Sequence, residues 1–306
     1  MADVPELADR VFLVDASPYI FRAFFSVPDK LRTPDGKPKN ALHGFAGFLL
    51  KLIEDYGVRR MALAFDRSLN SSFRNELYPD YKAQRELPPA DLEAQLRWCE
   101  AFGAALGIRC FVDETYEADD LIAALCGPLV EGGHEVVVVS SDKDLCQLVS
   151  DHVSLLDFAK GELYGVDEVV AKFGVRPDQM IDFLGLAGDA VDNIPGVPGV
   201  GKKTAVALLS HFPNMDAVYA ALDQVAALPI RGAKSLAARL DEHRELAFLS
   251  RRLATAATDA PARASADDLK LRGPDENVLD PLADALGIER TAARARKLFA
   301  AHDDVP

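Results

Sequence analysis

No apolar run in this sequence reaches the roughly 18 positions that a membrane span requires. The opening, MADVPELADR, is acidic where a secretory leader is basic and then apolar, so the expectation is a cytoplasmic chain that meets no membrane. Cysteine is scarce. Cys99, Cys110, Cys126 and Cys146 lie far apart, with no CxxC pair and no histidine at ligand spacing. That pattern excludes a zinc site and a disulfide framework, and it predicts buried thiols in a reducing compartment. A metal, where one is needed, must then be held by oxygen. Basic charge is also in deficit, with 34 Lys and Arg against 48 Asp and Glu and a net charge of -14. Taken whole, that balance argues against a nucleic-acid partner. Its distribution reverses the argument, because Ile20 to Arg85 carries twelve Lys or Arg against seven Asp or Glu.

What is present suits a sizeable core: 49% of the 306 residues are hydrophobic, enough for one large domain or two. VFLVD (11–15), MALAFD (61–66) and EVVVVSSD (135–142) read as buried strands, and RCFVDE (109–114) is a shorter candidate. Helical patterns lie between them at 41–57, 89–107 and 117–133. This alternation predicts an α/β fold, a mostly parallel central sheet with flanking helices. Sites in such sheets form beyond the carboxyl ends of strands, where Asp15, Asp66 and Asp142 fall. After about residue 175 short helices separated by Gly and Pro take over, and the Ala-, Asp- and Pro-rich end reads as a linker with one or two peripheral helices. There is no internal repeat.

The stretch GDAVDNIPGVPGVGKKTA, residues 188 to 205, invites a phosphate-binding reading. Gly196, Gly201 and Lys202 fall at the offsets of a P-loop, but Lys203 stands where that loop needs a magnesium-binding hydroxyl, and no buried strand precedes it. A Rossmann turn fails too, since GxGxxG is not met. What remains is a hairpin between two short helices. Gly199, Val200 and Gly201 would let the backbone approach closely, and the helix opening at Lys202, Lys203 and Thr204 would turn unpaired N–H groups toward an anion. An ordinary Gly-Pro turn before an amphipathic helix is the other reading these residues allow.

Acids recur in small groups. YEADD supplies Glu117, Asp119 and Asp120 at a helix start, where Glu117 and Asp120 share one face and Asp119 turns away. SSDKDL supplies Asp142 and Asp144, and GDAVD supplies Asp189 and Asp192. With Asp15 and Asp66 the carboxylates number nine. Any one motif alone is ordinary helix-start charge or a solvated turn. Converging, they could not all stay ionised without counterions, because two like charges about 4 Å apart repel by about 4 kcal/mol at an effective dielectric near 20. Hard divalent cations with oxygen ligands fit that need, and a pair of them about 4 Å apart suits phosphodiester hydrolysis.

The ordered motifs LVDASPYIFRAFF, GFAGFLLKLI, AFDRSLNSSFRNELYPDYKAQRE, YEADDLIA, SSDKDLCQLV, GDAVDNIPGVPGVGKKTA and LKLRGPD resemble the 5′ nucleases: the 5′-to-3′ exonuclease domain of bacterial DNA polymerase I, stand-alone bacterial and phage exonucleases, and flap endonucleases. The resemblance spans about 10 to 275. It implies a PIN-like nuclease core over 1–174 with a helical arch or clamp at about 67–90, a helix-hairpin-helix region over 175–255, and the linker and peripheral helices over 256–306. It implies that all nine carboxylates, Asp15, Asp66, Glu117, Asp119, Asp120, Asp142, Asp144, Asp189 and Asp192, hold two Mg²⁺ or Mn²⁺ ions. It also implies that residues 188–205 grip duplex backbone through Gly199 to Thr204. A monovalent cation bridges that turn to phosphate in some relatives, which makes K⁺ a candidate. Arg22, Arg74, Lys82 and Arg85 match cations that steer the scissile phosphate, with Lys82 and Arg85 on one helical face, while Phe73 or Tyr81 would stack on an unpaired base. The loop from Ser68 to Ser72 is a candidate for ordering on binding.

Ala16 and Val191 depart from the family's usual Gly and Ser, and neither replaces a carboxylate. The expected activity is therefore Mg²⁺-dependent, structure-selective cleavage near 5′ ends of flaps, nicks or primer junctions by a nucleoid-associated monomer. The chain looks like a nuclease without a polymerase in cis, leaving DNA polymerase and ligase as candidate partners in trans. Two other readings stand beside it: a junction binder of the same fold that has lost its chemistry, and a small-molecule phosphatase using the same acids.

Overall fold

The computed structural model describes residues 7–67, 72–85, 88–229 and 232–303. β1 (Val11–Asp15) is buried at every position, which fits only a strand covered on both faces. It runs directly into α1 (Ser17–Ser26), whose Pro18 sits in the first turn, where a missing N–H leaves no bond unmade. α2 (Asn40–Tyr56) stops at Gly57, whose φ of 59° supplies the left-handed cap. The alternation continues through β2 (Arg60–Asp66), a short α3 (Phe73–Leu77), α4 (Ala90–Ala105), β3 (Arg109–Asp113), α5 (Ala118–Glu131) and β4 (Val136–Val139). A 3₁₀ turn at Asp144–Leu148, β5 (Val153–Asp157), β6 (Glu162–Tyr164) and α6 (Val166–Phe173) close this part.

The six strands order as β3-β2-β1-β4-β5-β6, parallel throughout except for β6 against β5. All four expected strands are present. The sequence reading does not anticipate β5 and β6, and it runs β4 too long, because the chain leaves the sheet at Ser140. From β1 the chain moves to β2 and β3 on one side, and it returns to β4 on the other. The reversal places a crevice at the carboxyl ends of β2, β1 and β4, where ligands of open sheets bind.

Alternate side chains of the strands feed two cores. Val11, Leu13, Ala62 and Ala64 face α5 and the helical region, whereas Phe12, Val14, Met61 and Leu63 face α1, α2 and α4. The helical region comprises α7 (Met180–Ala187), α8 (Lys202–His211), α9 (Met215–Ala220), α10 (Leu222–Val225), α11 (Ala233–Glu242) and α12 (Arg244–Ala254). The expectation of a linker and peripheral helices at the end needs correcting. Residues 269–271 lie against β2, with Met61 N–H donating to the Leu269 carbonyl at 2.8 Å and Leu271 N–H to the Arg59 carbonyl at 2.9 Å. α13 (Glu276–Leu286), α14 (Glu289–Asp303) and the turn between them then bury Leu279, Ile288 and Phe299 in the second core. No helix among the described residues is long and apolar enough to cross a membrane.

Candidate metal centre and nucleic-acid interface

Asp15 and Asp66 end β1 and β2, Asp142 follows β4, and Asp119 lies in the first turn of α5. These four belong to one electrostatic group. Burial, followed by the charges of Asp66 and Asp142, pushes Asp15 well above the usual carboxylate range. Asp119 is raised well above it too, by burial and by Asp15, Asp142 and Asp66. Asp66 is raised by burial and by Glu117. Hydrogen bonds hold the group in place without neutralising it: Ser140 Oγ donates to Asp15 Oδ2 at 2.8 Å, and Ala118 N–H donates to Asp66 Oδ1 at 2.9 Å. Asp142 N–H in turn donates to Ser140 Oγ at 2.9 Å, which ties the β4 exit to β1. Ser140 is missing from the sequence reading, although it stands in the SSD run beside the acids.

The other five carboxylates have cationic partners. Glu117 Oε1 accepts from Lys82 Nζ at 2.9 Å, and its Oε2 accepts from the Tyr81 hydroxyl at 3.1 Å. Asp192 Oδ1 accepts from Arg85 at 2.5 Å, with Lys82 Nζ 3.6 Å from its Oδ2. Burial alone would lower the Lys82 ammonium, but the charges of Glu117 and Asp192 hold it well above its ordinary value. Lys143 bridges Asp189 and Asp144, lying 3.1 Å from Asp144 Oδ1 and donating to Asp189 Oδ2. Burial and Asp142 push Asp144 up to about 7 despite Lys143. Burial would raise Asp189 as well, yet the Lys143 hydrogen bond, the Val191 N–H and the charges of Lys143 and Lys202 together more than offset it and hold that carboxyl below its usual range.

Asp120 differs from the expectation. It is fully buried, and both its oxygens are taken: Arg74 donates to them at 2.8 and 2.7 Å, Glu117 N–H at 3.0 Å and Ala257 N–H at 2.7 Å. A carboxylate saturated by four donors is a structural anchor and not an ion ligand. Arg74 is corrected with it. At 3% exposure it also donates to the carbonyls of Leu253 and Thr255, so it ties α3 to α5 and to the end of α12 and is not offered to DNA.

The arch region brings further differences. Residues 68–71 and 86–87 lie outside the described residues, which takes in most of the Ser68 to Ser72 loop. What is described is the five-residue α3 and a run of turns through Arg85. Lys82 has a φ of 54°, so Lys82 and Arg85 do not share a helical face. Lys82 instead reaches both Glu117 and Asp192, and Arg85 reaches Asp192. Tyr81 is 3% exposed and faces those same two acids, which removes it as a stacking platform, whereas Phe73 is half-buried beside Tyr116. Arg22 is exposed on α1. The turns dock on the glycine-rich stretch through Lys82 N–H to the Asp192 carbonyl at 3.0 Å and Asn193 Nδ2 to the Asp80 carbonyl at 2.7 Å.

The hairpin itself is built from close backbone approaches. Gly188 and Gly196 have φ of 70° and 63°, and Asp189 and Ile194 exchange two backbone hydrogen bonds at 2.9 and 2.7 Å. Gly199, Gly201, Lys202 and Lys203 are exposed, Thr204 is half-buried, and Val200 is corrected to a core position. The Gly199 carbonyl accepts from Arg239 at 3.2 Å, a partner on α11 that nothing in the sequence signals.

Among the described residues, no three His, Cys, Asp or Glu side chains stand close enough to chelate an ion as placed. Lysine ammonium groups explain part of this spacing, since Lys82 and Lys143 each occupy the space between two acids. The donor set nonetheless fits hard cations. It is all oxygen, four of its acids face one another with no ion pair of their own among the described residues and with the Lys82 charge only partly opposing them, and Asp144 Oδ1 is buried without a well-formed hydrogen bond.

The chain matches two family models: 5′-3′ exonuclease, N-terminal resolvase-like domain, over residues 10–174, and 5′-3′ exonuclease, C-terminal SAM fold, over 175–277. It is 45% identical over 258 residues to DNA polymerase I of Pseudomonas aeruginosa, a match covering 84% of this chain and 28% of that protein. It is 32% identical over 263 residues to the 5′-3′ exonuclease of Buchnera aphidicola subsp. Schizaphis graminum, covering 86% of this chain and 91% of that one. The chain thus spans under a third of the polymerase relative and nearly all of the exonuclease. A solved structure of T5 5′-exonuclease with zinc bound superposes at a TM-score of 0.64 and 22% identity, covering 95% of this chain and 99% of that chain.

Proposed function

From the premise that the chain belongs to the 5′-3′ exonuclease family, we propose that it hydrolyses phosphodiester bonds near the 5′ ends of branched or nicked DNA, and of RNA primers, during replication and repair. The observation that carries this reading is the group Asp15, Asp66, Asp119 and Asp142: four carboxylates from three strand ends and one helix start, of which Asp15, Asp66 and Asp119 are pressed toward protonation by burial and by neighbouring acids, Asp142 among them for Asp15 and Asp119. Such a group is stabilised by cations. Two Mg²⁺ or Mn²⁺ ions would be held by these four with Glu117, Asp144, Asp189 and Asp192 as inner or water-mediated partners. When bound, they supply an activated water and stabilise the leaving 3′ oxygen.

The chain's own residues do the rest. Lys82 and Arg85 are held on Glu117 and Asp192 beside the acids, so a phosphate arriving there meets two cations already in place. Arg22, exposed on α1 a few residues beyond Asp15, would be a further cation to steer the phosphate. Gly199 to Thr204 receive duplex backbone at the start of α8, with K⁺ as a candidate ion there. Selectivity then comes from shape, a held duplex and a free 5′ strand, and not from base reading. The division into 1–174, 175–255 and 256–306 belongs to this proposal, as do a monomeric state, a place on the nucleoid and recruitment to polymerase or ligase.

The test is turnover of a 5′-labelled flap in Mg²⁺ and in EDTA, with Asp119→Ala alongside. Cleavage is expected only in Mg²⁺ and only in the unaltered chain. Cleavage in EDTA, or full activity of the variant, overturns the metal assignment. Salt-sensitive flap binding in Ca²⁺ without any cleavage in Mg²⁺ would select the inactive junction binder instead.

A further inference from the structure

Between α6, α7 and α8 lies a hollow of about 550 Å³ whose rim is four lysines, Lys143, Lys172, Lys202 and Lys203, and whose wall includes Phe173 and Val206. The lysines come from three separate parts of the chain: the turn after β4, the last turn of α6, and the first turn of α8. In a chain with a net charge of -14, four ammonium groups around one opening form a local field of opposite sign. Lys143 is committed to Asp144 and Asp189. Lys202 and Lys203 form no ion pair among the described residues, and Lys172 meets the Tyr164 hydroxyl, the Tyr164 ring at 4.1 Å from its centroid, the Phe173 ring at 5.9 Å and, at 3.6 Å, a half-exposed Glu162. Exposed pairs of that kind are weak and yield readily to a better anion.

The backbone explains why Lys172 is there. α6 ends at Gly174, whose φ of 76° turns the chain sharply, and a Cβ at that position would lie 3.0 Å from Val206 on α8. The close approach sets the end of α6 against the first turns of α8, so Lys172 joins Lys202 and Lys203 on one rim.

We propose that this hollow is a second seat for nucleic-acid backbone: Lys172 binds a phosphate of the strand held at the start of α8, and Phe173 and Val206 cover the adjoining sugar. The inference rests on the nuclease reading above and extends its interface beyond the hairpin. A phosphodiester chain fits better than a compact anion, because the cations are spread around an opening with an apolar wall and do not converge on one point.

The experiment measures flap affinity in Ca²⁺, which prevents cutting, across a salt series. Each phosphate contact contributes about 0.9 to the slope of log affinity against log salt. Lys172→Ala is expected to lower the slope by about 1, so that its affinity deficit against the unaltered chain grows about three- to fourfold from the high-salt to the low-salt end of a roughly fourfold range, about what one lost contact gives. Lys172→Arg should keep the slope. So should Tyr164→Phe, which removes the neighbouring hydroxyl and leaves the ammonium, and Lys160→Ala, an exposed lysine paired with Asp157 outside the hollow. An unchanged slope in Lys172→Ala overturns the inference, and so does an equal loss in Tyr164→Phe, which would make Lys172 a support for Tyr164. If the unaltered chain shows no salt dependence, the parent reading itself has failed, a result distinct from either of these.

Discussion

At Asp119, burial and the charges of Asp15, Asp142 and Asp66 all favour the protonated form, and the Lys82 charge opposes them. A carboxyl raised in the folded state binds more protons there than in the unfolded chain, so stability falls as pH rises through the raised range. For Asp144 that range runs from the ordinary 3.8 to about 7. Asp189 is shifted the other way, and its contribution is lost only in acid below this window. In EDTA the protein should therefore melt at a lower temperature at pH 8 than at pH 5.5. Asp144→Asn should narrow that gap, and Asp119→Asn should raise the pH 8 midpoint by a few degrees, on the order of 2–4 °C per kcal/mol recovered, while abolishing turnover. A lower midpoint in Asp119→Asn, followed by thermal unfolding, would contradict this account. Arg74 poses the opposite case. Arg74→Ala strands the buried Asp120 carboxylate and two carbonyls, which should cost about 3–5 kcal/mol in a denaturant titration. The sequence shows Arg74 only as one more positive charge beside Lys82 and Arg85. Burial decides between anchor and ligand, and burial comes from α12, nearly 180 positions away in the chain.

The hairpin of residues 188–196 depends on glycine where backbone meets backbone. A Cβ on Gly196 would fall 2.3 Å from the Gly188 nitrogen, at a φ of 63°. Gly196→Ala should cost at least about 2 kcal/mol through strain and overlap combined. Because the same stretch carries Asp189 and Asp192 and receives the Lys82 turn, it should also weaken flap affinity in Ca²⁺. Unchanged stability and affinity would remove the hairpin from the interface. This element was legible because glycine, proline and acid spacing are local signals. The parallel core was legible for a similar reason, since VFLVD, MALAFD and VVVV are apolar without alternation. β5 and β6 were not, because VSLLD and ELY are short and their partners lie in β4 and in each other. The turns from Tyr81 to Arg85 were misread as helix for a related reason. Lys82 takes a left-handed conformation that its side chain does not favour, and it does so against the Asp192 carbonyl supplied by a distant loop.

Over the whole molecule, one sheet divides two cores, and the functional crevice belongs chiefly to the side that carries the helical region. The opposite core is completed from far along the chain. Leu279, Ala283, Leu286, Ile288, Ala292, Ala295 and Phe299, from α13, α14 and the turn between them, close it over α2 and α4. Lys39 Nζ clamps the join by donating to the carbonyls of Leu286 and Gly287. Each large apolar side chain buried there contributes roughly 1.5–3 kcal/mol before the entropy of ordering the helices is subtracted. Four such residues approach the whole stability of a typical domain, about 5–15 kcal/mol. A chain ended at Asp275 would also uncover apolar positions on α2 and α4 that are now fully buried. We therefore expect that truncation to lower the melting temperature by about 10 °C or more, at the scale of a few degrees per kcal/mol, and to bind a hydrophobic dye that the full chain does not. Since α13 and α14 supply none of the acids, any folded fraction should retain Mg²⁺-dependent cleavage. A truncated chain with unchanged melting and no dye binding would return these helices to the peripheral role that their Ala-, Asp- and Pro-rich sequence suggests. Loss of cleavage from fully folded protein would instead mean that the second core reaches the crevice through β1 and β2.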